Sequence, residues 1–135
     1  MKIRTLAALA VLVSAAVHLY LWFDGVKDQG TVGKLFVLNV VAGVVIAVLL
    51  LAWRDWEPLF LTAGFGAATI VAFFISLTVG LFGIQTGWSW YAWLALAVEL
   101  AAIALGLLGL RQEGYLDRLG RVGGTGQRTA GLKPR

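Results

Sequence analysis

Residues 88–110 read WSWYAWLALAVELAAIALGLLGL, an apolar run whose lone charge is Glu99. An α-helix needs roughly 20 such residues to cross a hydrocarbon core about 30 Å thick. Three more runs of this kind precede it, at residues 6–23, 35–53 and 59–82. Four spans joined by short polar segments predict an all-α, four-helix transmembrane bundle over residues 1–110. Residues 111–135 follow as a juxtamembrane segment and tail. The first run also fits a signal peptide, with Lys2 and Arg4 ahead of it and a loose cleavage pattern at Val13-Ser14-Ala15, but it stays apolar beyond that point and reads better as a span.

Composition agrees. Of 135 residues, 60% are hydrophobic and 13% charged, whereas a soluble domain devotes about a quarter of its residues to charge. With no cysteine in the chain, disulfide frameworks, thiolate nucleophiles and cysteine-based metal centres are excluded. The net charge of +4 is concentrated near the C-terminus beside a span, where basic residues set topology and attract anionic lipid. Membrane lipids are therefore the expected partners, and nucleic acid is not.

Orientation follows from Lys and Arg. The N-terminus, the loop at Arg54 and the tail from Arg111 share one side and carry nine of these residues, against Lys27 and Lys34 on the other. The positive-inside rule places the nine-charge side, with both termini, in the cytoplasm. Trp22, Trp88, Trp90 and Trp93 mark the outer interface, and Trp53 and Trp56 the inner one. Asp55 is positioned to cap the third helix, with Pro58 in its first turn. Residues 112–122 predict a short interfacial helix, and the glycine-rich basic run from Gly123 predicts disorder.

Gly64, Ala68, Ala72, Ser76 and Gly80 place a small residue at every fourth position of the third span. Such a row lets a neighbouring backbone approach closely, and in lipid this contact is a main source of helix association. Asn39, Gly43 and Ala47 repeat the spacing on the second span, and Ala92, Ala95, Ala102 and Gly106 surround Glu99 on the fourth. The row serves either packing within the chain or docking onto another subunit.

Glu99 lies mid-span, where a carboxylate costs roughly 2.5–3.5 kcal/mol on insertion scales. It is either a neutral, hydrogen-bonded strut or a working group. At 1.5 Å per residue, His18 lies roughly 8 Å and Glu99 roughly 16 Å below the outer surface. Side chains lean toward the N-terminus of their own helix, so on antiparallel helices the two lean toward each other, and a direct contact or a one-water bridge is feasible if these helices are neighbours. Asn39 and Ser76 lie near the depth of His18, and Thr69 near that of Glu99. The expected ligand- or ion-binding set is thus Glu99, His18, Asn39, Ser76 and Thr69. One His and one buried acid assemble neither a catalytic triad nor a metal cage, so no catalytic or metal site is expected, and the sequence names no cofactor.

At His18-Leu19-Tyr20-Leu21-Trp22, Leu35-Phe36-Val37-Leu38-Asn39 and Ala42-Gly43 the sequence resembles small four-span membrane proteins common in actinobacteria, a group with no established activity. Gly80-Leu81-Phe82-Gly83 and the intramembrane Glu99 add to the likeness. The resemblance implies four spans in a bacterial inner membrane and draws attention to His18 and Asn39. Small multidrug transporters also have four spans and a buried Glu, but theirs is on the first span, where this chain has His18. Three readings follow: an oligomeric protein that binds or transports a small ligand or ion, an accessory subunit of a larger membrane complex, and a binder of lipid, quinone or another apolar ligand.

Overall fold

The computed structural model describes residues 2–124, and the tail expected from Gly123 lies outside them beyond residue 124. Five α-helices make up the fold: α1 Lys2–Phe23, α2 Thr31–Ala52, α3 Glu57–Thr78, α4 Trp90–Gln112 and α5 Tyr115–Gly124. The first four are each long and apolar enough to cross a membrane. Large apolar side chains such as Leu38, Val71, Trp93 and Leu100 lie exposed along their outer surfaces. That is the surface of a protein compatible with lipid rather than water as its surroundings.

The spans start and stop where local chemistry dictates. Pro58 sits in the first turn of α3, where its missing N–H costs nothing, and the Asp55 carboxylate takes the Trp56 N–H at 2.8 Å just ahead of that helix. The third span ends at Thr78 rather than at residue 82, because Gly80 turns the backbone to φ 84. Leu81 and Ile84 then exchange backbone hydrogen bonds of 2.8 and 2.9 Å around Phe82 and Gly83, both at positive φ. Gly80, counted in the small-residue row, is therefore a turn residue and not part of the α3 surface. α4 begins at Trp90, two residues later than the apolar run, because the Ser89 hydroxyl accepts the Ala92 N–H as its N-cap.

α1 and α2 form one antiparallel hairpin, and α3 and α4 form another. The hairpins meet along α1 and α4, while α2 and α3 barely touch. In cross-section the helices run α2, α1, α4, α3, with a gap between the two outer members. One end of the bundle, the terminus face, carries the start of α1, the α2–α3 loop and α5; the opposite loop face carries residues 24–30 and 79–89. The apolar core lies in the terminus half: Ala7, Val11, Ile46, Leu50, Leu59, Phe65, Ala102 and Leu110 pack together there.

Glycine sets the helix spacing. A Cβ on Gly66 would stand 2.5 Å from the Glu99 carbonyl oxygen, and one on Gly106 would stand 2.7 Å from the Leu59 carbonyl, so α3 and α4 touch backbone to backbone. Gly43 does the same for α2 against Val11 and Ala15 of α1. Gly64, by contrast, faces open space and, with Ala68, is exposed toward the gap.

Arg4 seals the terminus face. Its side chain is 4% exposed and pairs with Glu113 at 2.9 Å, while Nη1 and Nη2 donate to the carbonyls of Trp53 and Asp55 at 3.0 and 2.6 Å. One guanidinium thus joins α1, the α2–α3 loop and the end of α4. By its place in the sequence Arg4 signals topology; its burial among protein oxygens is not legible there.

Candidate functional site

The polar groups within the four long helices gather in the loop half, where the apolar core ends. Ser14, fully buried on α1, is their hub. Its hydroxyl donates to Glu99 Oε1 at 3.3 Å, and its backbone carbonyl accepts from His18 Nδ1 at 2.8 Å one turn further on. A carbonyl only accepts, so Nδ1 carries a hydrogen and, in the neutral imidazole, Nε2 is left as an acceptor. His18 and Glu99 are thus linked through Ser14 and not by direct contact. Glu99 is 2% exposed, and the Ser14 bond is the one hydrogen bond to its carboxyl among the described residues.

Asn39 and Thr69 form a second pair. Asn39 Nδ2 donates to Thr69 Oγ1 at 3.2 Å, and the Thr69 hydroxyl donates to the Phe65 carbonyl at 2.8 Å, the back-bond by which threonine satisfies itself within a helix. Asn39 Oδ1 is buried with no partner among the described residues. Ser76 serves elsewhere. Its hydroxyl donates to the Ile84 carbonyl at 3.3 Å and its carbonyl accepts the Thr86 N–H at 3.1 Å, which ties the α3–α4 loop down over the bundle. Trp88 of that loop packs edge-on to Phe73 at 5.4 Å and stacks on Trp93 at 4.5 Å.

Of these groups His18, Thr69, Ser76 and Glu99 line a cavity of about 370 Å³. Asp24, Gln29 and Gln85 stand at its rim on the loop face, His18 and Phe36 form part of its wall, and Thr69 and Glu99 lie at its deep end. Below them the core closes the path to the terminus face. Its lining includes two acids, Asp24 and Glu99, and no Lys or Arg. A second space of about 420 Å³ occupies the gap between α2 and α3. It is almost wholly apolar, with Asn39 and Thr69 as the polar exceptions beside His18. No cluster of three or more His, Cys, Asp or Glu side chains arises among the described residues.

The five residues singled out from sequence therefore divide. His18 and Glu99 meet through Ser14, Asn39 pairs with Thr69, and Ser76 holds the roof. In the sequence Ser14 stands out only within the loose cleavage pattern Val13-Ser14-Ala15, because a mid-helix serine gives no sign of what faces it. Ser14→Ala removes the one hydrogen bond to the Glu99 carboxyl while leaving the backbone carbonyl for His18. It is expected to lower stability by about 0.6–1.7 kcal/mol, the range for such bonds between membrane helices, read as a fall in the unfolding midpoint in detergent. Ser14→Thr, which keeps the hydroxyl, should recover most of that loss. No protein-family model, curated protein or solved structure matches the chain.

Proposed function

We propose that this chain is a cell-membrane protein with cytoplasmic termini that binds a small ligand in the loop-face cavity, with Glu99 and His18 as the contacting groups. One observation carries the reading: a mid-span carboxyl, 2% exposed, holds a single hydrogen bond and lines a cavity open at one end. A carboxyl serving only as a strut between helices is expected to be saturated by its neighbours, since an unmet buried polar group costs about 1–3 kcal/mol. Here the unspent capacity of Glu99 sits beside the acceptor Nε2 of His18, and both border the same space. The packed terminus half favours binding over passage through a single subunit.

Native mass spectrometry of the protein released from mild detergent tests this. Wild type is expected to retain a ligand of discrete mass, and Glu99→Gln and His18→Ala to lose it at least about tenfold, the effect of removing one charge-assisted hydrogen bond. Equal retention by variants of unchanged helix content counts against the reading.

An accessory role in a larger membrane complex has its own support. The exposed row Gly64–Ala68 has no helix of this chain against it, and small-residue rows of this kind accept partner helices. Copurification of a stoichiometric second protein, with no retained small molecule, favours that role.

A further inference from the structure

The cavity and the α2–α3 gap adjoin. His18, Val32, Phe36, Thr69, Ala72 and Leu81 line both, so a polar chamber bordered by Glu99 lies directly beside an apolar groove. The groove opens at the outer surface because α2 and α3 touch far less than the other neighbouring helices do, with Asn39 bonded to Thr69 between them. Its α3 wall carries Gly64, Ala68 and Ala72 among larger residues such as Phe60 and Phe65, and at these three positions no side chain projects far into it. Such a shape suits a molecule with one compact head and one hydrocarbon tail, delivered from the bilayer rather than from water.

The chemistry of the chamber selects the head. Three groups with acceptor capacity belong to this region: the carboxyl of Glu99 at the chamber, Nε2 of His18, a residue that lines both spaces, and Oδ1 of Asn39, a groove residue, buried without a partner among the described residues. Neither space is lined by Lys or Arg, and Asp24 adds an acid at the rim. A phosphate or carboxylate head would enter without a cation to meet it and with a carboxyl at its destination, an arrangement that excludes anions. A head carrying O–H or N–H donors finds acceptors at every turn.

We infer that the ligand is a single-chain amphiphile whose hydroxyl or amino head donates hydrogen bonds to Glu99 and His18 while its tail leaves through the groove between α2 and α3. The inference rests on the ligand-binding reading above and adds to it the head-group class and the tail path. The exit route can be blocked without touching the chamber. Gly64 lines the groove and meets nothing within 4 Å of an added Cβ, so Gly64→Leu is chosen to put a side chain into the groove.

The test uses the full chain in nanodiscs of a defined synthetic phosphatidylcholine. Three photoreactive probes share one diazirine-bearing alkyl chain and differ in the head, as a primary alcohol, a primary amine and a carboxylate. Adducts are mapped by peptide mass spectrometry. Alcohol and amine are expected to label groove residues such as Ala42 and Ala68 about tenfold more than the carboxylate, and that labelling is expected to vanish in Gly64→Leu. Ala68→Phe gives a second block from the same wall. Equal groove labelling by all three heads overturns the donor-head inference. Adducts confined to Tyr91 and Ala95 in the chamber and unchanged in Gly64→Leu overturn the tail path and leave ligand binding standing. Adducts scattered over the outer surfaces and indifferent to Glu99→Ala overturn both. Because the native chain has no cysteine, Gly64→Cys supplies a clean further check: efficient disulfide pairing between two copies, at the expense of probe labelling, places a second chain in the groove and overturns the inference.

Discussion

Arg4→Met is expected to cost up to about 3 kcal/mol of folding stability, the lower end of the range for removing one partner of a buried ion pair, because Arg4 is 4% exposed but Glu113 is only partly buried. The cost comes less from the lost attraction than from what remains. Glu113 keeps a charge at the end of α4, and the carbonyls of Trp53 and Asp55, now served by Nη1 and Nη2, lose their donors. Methionine replaces the length of the stem but supplies none of the three contacts. Lysine keeps the charge but has no fork to span a carboxylate and two carbonyls at once, so Arg4→Lys should fall between wild type and Arg4→Met. Glu113→Gln should be milder than either, because its side chain is 33% exposed and Arg4 retains both carbonyls. Equilibrium unfolding in mixed micelles, followed by helix content, ranks the three. A cost below about 1 kcal/mol for Arg4→Met, as for an exposed surface pair, would falsify the view that this side chain closes the terminus face.

The contrast between what Arg4 signals in sequence and what it does in the fold shows where sequence reading stops. Four spans are legible because hydrocarbon thickness imposes a length and an apolar content that any stretch of chain either has or lacks. Glu99 and His18 are legible for the same reason, as polar exceptions inside those runs. Their nearness in depth is legible too, since helix geometry fixes depth and the direction of lean, but in place of a direct contact Ser14 stands between them. Rotation and partner choice are not. A basic residue near a span end signals topology whether it reaches water or three protein oxygens, so Arg4 gave no warning of its burial. Ser14 joins His18 to Glu99 only because α1 crosses α4 at that height, a contact far apart in the chain. The ends of α3 and α4 depend on the positive φ of Gly80 and on the Ser89 cap, which hydropathy does not register. The small-residue row is the sharpest case. The four-residue spacing pointed to Gly64, yet the backbone contact falls at Gly66, and two residues rotate a helix by roughly 200°.

That rotation makes a pair of alanine substitutions diagnostic. At Gly66 the added methyl would stand 2.5 Å from the Glu99 carbonyl oxygen, 2.9 Å from Ile103 Cγ1 and 3.3 Å from the Ile103 nitrogen. Two of these obstacles are backbone, which no rotamer change can move, so α3 and α4 must separate. Overpacking of this kind costs about 1–3 kcal/mol, against a gain of up to about 1 kcal/mol from replacing glycine within a helix. Between membrane helices the loss weighs further, because close packing and not expulsion of water holds them together. Gly66→Ala should therefore destabilise the bundle. Gly64→Ala meets only open space, collects the helix gain without the clash, and should leave stability unchanged or raise it by up to about 1 kcal/mol. Opposite signs two residues apart on one helix would separate the α4-facing side of α3 from its groove-facing side. The consequence extends to the site, because the atom struck by a methyl on Gly66 is the backbone oxygen of Glu99. Moving α4 to relieve that contact shifts the carboxyl relative to Ser14, so Gly66→Ala should weaken ligand retention with every polar group of the chamber still present. If it destabilises the bundle but leaves retention at the wild-type level, the position of Glu99 is set by Ser14 and α1 rather than by the α3–α4 contact.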